Sequence, residues 1–105
     1  MNSQEDSTAE RLILGNSCTV RTAEDMHALL TRAVADHSVL EIDCSAVEEA
    51  DLSFVQLLLA ARESARRAGH TLRLAQSATG ALHDTLHRGG FLTATNTDLA
   101  FWLPN

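Results

Sequence analysis

Two stretches of the chain alternate between apolar and polar residues, which is the pattern of strands with one buried face. In residues 39–44, Leu40, Ile42 and Cys44 fall on the same face, and residues 70–75 repeat the alternation. We therefore expect a strand at each place.

Two shorter β-prone segments lie near the amino terminus. Residues 11–15 and 18–20 flank Gly15-Asn16-Ser17, whose residue types favour a tight turn. This arrangement predicts a hairpin or a bulged strand pair.

Apolar residues at helical spacing follow in two long segments. The first covers residues 23–36 and comes after Thr22, which stands where an N-cap is needed. The second begins at Leu52 and ends near Gly69, a residue that readily adopts the left-handed conformation at a helix end. Both segments are predicted to be helices.

A third helix is predicted after Ser77, its expected N-cap, and Gly89-Gly90 should end it. Residues 98–103 fit either a final helical turn or an edge strand. The order of elements indicates an α/β fold in which helices pack on a small mixed β-sheet. We assign residues 10–105 to this single domain and residues 1–9, which are polar and aperiodic, to a flexible tail.

Composition narrows the classes of function. The chain has 105 residues, of which 14 are acidic and 8 basic, and its formal net charge is −6. This balance argues against nucleic-acid binding, which needs many basic contacts to phosphate. No apolar run approaches the roughly 20 residues of a membrane span. The polar, acidic amino terminus does not look like a secretory signal, so we expect a cytoplasmic protein.

The chain offers little that suggests catalysis or metal binding. Cys18 and Cys44 have no C-x-x-C spacing and are expected to be buried free thiols. His83 and His87 share a helix face, but no nearby glutamate completes a metalloenzyme motif, so we interpret them as solvent-exposed. No phosphate-binding loop or nucleophile elbow is present. We expect no enzyme activity, no cofactor and no metal.

Three segments resemble the central part of the STAS family, the anti-sigma-factor antagonist domains. They are residues 43–47 (Asp-Cys-Ser-Ala-Val), 50–55 (Ala-Asp-Leu-Ser-Phe-Val) and 71–74 (Thr-Leu-Arg-Leu), and the resemblance extends over about residues 11–92. It implies the family's α/β fold and a role in docking onto a partner protein.

The loop before the second helix departs from the family pattern. That pattern is Asp, two hydroxyl residues and Gly, and in antagonists the first hydroxyl residue is phosphorylated by a partner kinase. Here Asp51 is followed by Leu52, Ser53 and Phe54. Ser53 is the candidate phosphoacceptor, and the alternative is that it only caps the helix.

A surface for docking is predicted beside this loop, because apolar and basic residues mix along one face of the second helix. Its residues are Asp51, Leu52, Val55, Gln56, Leu59 and Arg62. The alternative is that the apolar members pack beneath a neighbouring element. A stripe facing the sheet is expected from Phe54, Leu57, Leu58, Ala61, Ala65 and Ala68.

The resemblance implies a regulatory module that binds a histidine-kinase-like or anti-sigma ATPase in bacterial stress or chemotaxis signalling, with Ser phosphorylation as a possible switch. The alternative is the STAS subunit of a lipid-trafficking ABC transporter, which stabilises the ATPase subunit. A structural dimer is a third hypothesis, and the oligomeric state stays open.

Overall fold

The computed structural model describes residues 9–104, so nearly all of the predicted tail, residues 1–9, lies outside the described residues. The elements in this part of the chain follow one another in this order: β1 (Glu10–Ile13), β2 (Ser17–Cys18), a 3₁₀ helix (Val20–Thr22), α1 (Ala23–Asp36), β3 (Val39–Asp43), β4 (Glu49–Ala50), α2 (Leu52–Arg67), β5 (Thr71–Leu74), α3 (Gly80–Arg88) and α4 (Leu99–Trp102).

Three strands form a parallel sheet in the order β1-β3-β5. Ile42 of the central strand pairs with Leu12 on one side and Leu74 on the other. Parallel neighbours need crossover connections, and α1 and α2 supply them. The predicted α/β fold with helices packed on a small sheet is confirmed. The sheet is not mixed as expected, because every strand pair among residues 9–104 is parallel.

The predicted hairpin or bulged strand pair near the amino terminus is wrong. β1 pairs with β3, whereas β2 pairs with β4 in a separate two-stranded ladder. The residues between β1 and β2 contact the segment before β4 instead of forming a hairpin turn. The Asn16 carbonyl accepts hydrogen bonds from the Glu48 and Glu49 N–H groups at 2.8 and 2.9 Å. These bonds hold the segment before β4 in place.

Of the two predicted N-caps, Thr22 is found at the N-cap position of α1 as expected, whereas Ser77 is not the N-cap of α3. The Thr22 hydroxyl accepts the Thr19 N–H at 3.1 Å and so closes a capping box on the 3₁₀ helix, while it makes no cap bond to α1. α3 begins at Gly80 after Thr79, so Ser77 lies too early to be its N-cap.

The end of α2 is as predicted. Gly69 has φ +78°, its N–H donates to the Arg66 carbonyl, and the His70 N–H donates to the Ala65 carbonyl at 2.8 Å. This pair of bonds is a Schellman motif, which satisfies carbonyls left free at the helix end. It turns the chain sharply into β5.

The core lies between the sheet and the helices. Alternate strand residues Leu40, Ile42, Leu72 and Leu74 are buried, and α2 covers them with Phe54 and Leu58. On the opposite face of the sheet, Glu41 forms ion pairs with Arg11 and Arg73. Residues 99–102 form a helical turn, which places Trp102 in the core with no exposed surface.

Candidate functional site

Asp51 fixes the start of α2. Its backbone is extended (φ −141°, ψ −177°), as an N-cap requires. Oδ1 accepts hydrogen bonds from the Ser53 N–H at 3.1 Å and the Ser53 hydroxyl at 2.5 Å, and Oδ2 accepts the Val20 N–H at 2.9 Å. One carboxylate therefore joins the 3₁₀ helix to α2.

These hydrogen bonds lower the pKa of Asp51 below its ordinary value. The Ser53 hydroxyl contributes most, and the N–H groups of Val20, Phe54 and Ser53 act in the same direction against partial burial. Each bond favours the charged carboxylate. Asp51 is therefore anionic at neutral pH.

The interpretation of Ser53 as the N-cap is wrong. Asp51 occupies that position because its carboxylate is the stronger acceptor for the free N–H groups of the helix. Ser53 lies inside the first turn and donates its hydroxyl proton to the cap. Its side chain is partly exposed, so it remains a candidate phosphoacceptor.

The predicted docking residues of α2 divide by exposure. Leu52 is 50% exposed, and Gln56 is exposed as well. Val55 is completely buried, so its assignment to a docking surface is wrong, and Leu59 is partly buried against the core. α2 contacts α1 and α3 as well as β5. More of its circumference is therefore buried than if it packed on the sheet alone.

The expected sheet-facing stripe of α2 is buried at four of its six residues. Phe54, Leu58, Ala61 and Ala65 are buried, whereas Leu57 is partly buried. Ala68, the C-cap residue, is exposed, so its assignment to the stripe is wrong. The buried stripe thus ends at Ala65, two residues before α2 ends at Arg67.

Arg62 is engaged within the molecule. Its guanidinium pairs with Asp98 at 2.5 Å and lies 4.7 Å from the ring centre of Phe101. The side chain is 34% exposed. Arg62 thus attaches the segment leading into α4 to the middle of α2. A partner that contacts Arg62 would meet a side chain already bound to Asp98 and Phe101.

Sequence reasoning missed the other side of the site. Val20 is 68% exposed and lies beside the start of α2, because its N–H binds Asp51. An open groove of about 540 Å³ runs from the 3₁₀ helix past β4 to α3. A smaller cavity of about 80 Å³ lies between α1 and α2 and is too small for most ligands.

The described residues contain few features of a reactive centre. Within residues 9–104 no three His, Cys, Asp or Glu side chains are placed to hold a metal ion. The rings of His83 and His87 lie 6.4 Å apart on α3, and the His83 side chain is partly buried. No described helix is long and apolar enough to cross a membrane.

The two cysteines are free thiols in the described structure. Burial raises the pKa of Cys18 to about 11. Burial, with smaller contributions from Cys18 and Asp43, raises the pKa of Cys44 to about 12. Both groups are protonated at neutral pH and are therefore weak nucleophiles.

Comparison with known proteins decides the family. A family model described as "Mlab, STAS domain" matches residues 1–95. The chain belongs to the STAS-domain family. The resemblance seen in the sequence is confirmed, and a STAS domain is a protein-interaction and regulatory module that is generally not catalytic.

A solved structure agrees with this STAS fold. The sulfate transporter family protein from Wolinella succinogenes is similar with a TM-score of 0.63 and 20% sequence identity. The similarity covers 87% of this chain and 74% of that one. At this level of identity it supports the fold alone. No curated protein matches the sequence.

Proposed function

We propose that this STAS domain is a docking module that binds an ATPase-type partner in the cytoplasm through the exposed start of α2. The observation that carries the proposal is the position of Leu52. It is half exposed, yet the neighbouring Phe54, Val55 and Leu58 are completely buried and Asp51 fixes the backbone before it. An apolar side chain held rigidly at the surface is suited to a protein interface.

The usual family position of phosphorylation is Leu52 in this chain, and leucine has no hydroxyl group to accept a phosphate. Docking therefore cannot be regulated at that position. Ser53 is the candidate acceptor, and its hydroxyl donates to Asp51. A phosphate there would replace a hydrogen-bond donor with nearly two negative charges beside a carboxylate. We therefore propose that the module docks in its unmodified state and that modification of Ser53 would weaken docking.

Two partner classes fit the proposal. The first is a histidine-kinase-like or anti-sigma ATPase, as the resemblance to antagonists implies. The second is the ATPase subunit of a lipid-trafficking ABC transporter. The second is favoured by the family model that matches this chain, which is described as an Mlab, STAS domain.

The test is crosslinking in the source cells with the tagged full chain, followed by mass spectrometry of the crosslinked peptides. Leu52→Arg should lose the ATPase partner. Leu29→Arg is the matched control, because Leu29 is an exposed leucine of α1 (44%) that does not line the groove at the start of α2. Ser53→Glu should weaken the same crosslink and Ser53→Ala should keep it.

The identity of the captured ATPase separates the partner classes. A kinase-like ATPase supports the signalling hypothesis, and an ABC ATPase supports the transporter hypothesis. Loss of the crosslink with Leu29→Arg but not with Leu52→Arg would place the interface on α1 and refute the proposed surface.

A further inference from the structure

The open groove beside Leu52 has three walls from distant parts of the chain. Arg21 of the 3₁₀ helix lies on one wall, Glu48 and Glu49 lie at β4, and Asp84 and Arg88 lie on α3. Its volume of about 540 Å³ is in the range of sites that receive side chains or small ligands. Thr85 ties two walls together, because its hydroxyl donates to the Ala50 carbonyl at 3.1 Å.

Negative charge predominates in this groove. Four carboxylates line it, from Glu48, Glu49, Asp51 and Asp84, against the two cations of Arg21 and Arg88. None of these six side chains forms an ion pair among the described residues.

The environment of the four carboxylates differs. The Asp51 carboxylate accepts hydrogen bonds from the Ser53 hydroxyl and the Val20 N–H, and the Glu49 carboxylate accepts one from the Ser17 hydroxyl at 3.1 Å. Glu48 and Asp84 are exposed and accept no hydrogen bond from a described side chain. They remain available to a cation supplied from outside.

An apolar rim lies next to this charge. Val20 is 68% exposed and borders the groove, and Leu52 is 50% exposed. The two are neighbours because the Val20 N–H binds the carboxylate of Asp51, the residue before Leu52. Apolar contacts beside complementary charge are what protein interfaces use for affinity and orientation.

We propose that this groove receives an arginine or lysine side chain from a basic segment of the partner, while Val20 and Leu52 contact apolar residues of the same segment. The proposal rests on the docking function above and adds the chemistry of the partner. Charge complementarity selects this occupant, because four carboxylates outnumber two guanidinium groups in the groove.

The probe is a pair of synthetic 14-residue amphipathic peptides, one with arginine and one with glutamate at every polar position. Each is titrated into the full-length ¹⁵N-labelled protein and followed by amide chemical shifts. The arginine peptide should move the amides of Val20, Arg21 and residues 84–88, and the glutamate peptide should move none of them.

Charge reversal in the groove supplies the decisive comparison. Glu48→Lys with Asp84→Lys should weaken binding of the arginine peptide about tenfold or more. The matched control is Glu10→Lys with Asp36→Lys, which makes the same change of net charge at exposed residues outside the groove lining. The control should weaken binding less than about twofold, because distant exposed charges are screened.

Equal weakening by both double variants, or shifts elsewhere on the surface, would overturn the groove proposal. So would groove shifts that depend on protein concentration without peptide, because they would assign the groove to a second copy of this chain. The docking function is judged separately, since loss of the crosslinked ATPase with Leu52→Arg would still support it if the peptide failed to bind.

Discussion

Asp51→Asn is the most informative single change in this protein. The carboxylate serves two elements at once, because Oδ1 caps α2 through Ser53 and Oδ2 holds the Val20 N–H at 2.9 Å. Asparagine has one acceptor oxygen and an amide group that only donates. It can therefore keep the helix cap or the contact to Val20, but not both.

The expected cost can be worked from these bonds. Loss of an N-cap side chain costs about 0.5–2 kcal/mol, and one intramolecular hydrogen bond contributes about 0.5–1.5 kcal/mol. Because asparagine keeps part of the cap and loses the charge, we expect Asp51→Asn to lower the free energy of unfolding by about 1–2 kcal/mol. With a urea dependence of about 2 kcal/mol per M, the middle of the usual range, the unfolding midpoint should fall by about 0.5–1 M.

The pH dependence follows from the lowered pKa of Asp51. A carboxyl group whose pKa in the folded state lies below the ordinary 3.8 contributes stability that is fully present above the unfolded pKa. That contribution is lost as the pH falls through the folded pKa. The difference between wild type and Asp51→Asn should thus be constant from pH 7 to about pH 5 and shrink below about pH 4.

Urea unfolding followed by the fluorescence of Trp102, the one tryptophan of the chain, measures this difference at each pH. Asp36→Asn is the control, because Asp36 is exposed at the carboxyl end of α1, where a negative charge gives no dipole stabilisation. Amide exchange at Val20 and Ser53 reports which bond is lost. Equal midpoints for wild type and Asp51→Asn at pH 7 would refute the argument, and so would a gap that persists unchanged at pH 3.

Three further changes test how the remaining elements are held. Arg62→Gln should loosen α4 from α2 by removing the ion pair with Asp98, and because that pair is partly exposed the loss should be only about 1 kcal/mol. Amide exchange at Leu103 should become faster, and unchanged exchange would contradict this. Trp102→Phe should cost less than the 3–5 kcal/mol of a Trp→Ala change, because it removes the indole Nε1, a buried donor that has no partner among residues 9–104. Circular dichroism in urea would measure the difference. Gly69→Ala should destabilise by about 1 kcal/mol because φ is +78°, whereas Gly15→Ala, which meets nothing within 4 Å, should be near neutral in the same assay.

The sequence predicted the elements of this fold well where local periodicity dominates. α1 is found at residues 23–36 as expected, and the end of α2 at Gly69 follows from the conformational freedom of glycine. The pairing of the strands was less predictable. A turn-like Gly-Asn-Ser sequence fits a hairpin, but β1 and β2 each find a parallel partner about 30 residues further along the chain.

The site shows the same division between local and distant contacts. Leu52 and Gln56 were predicted to lie on a face of α2 where apolar and basic residues mix, and both are exposed. The burial of Val55 depends on a third element packed against that helix, and the engagement of Arg62 depends on Asp98, 36 residues away.

The groove is the extreme case, because its walls come from the 3₁₀ helix, β4 and α3, and no window of sequence contains more than one of them. Its position is nevertheless set by a residue that the sequence did single out. Asp51 was chosen as a loop residue beside a helix start, and its carboxylate is what brings Val20 next to Leu52. The part of a docking surface that a helix supplies can thus be predicted from periodicity. The part that specifies the partner's charge depends on which distant segments the N-cap draws together.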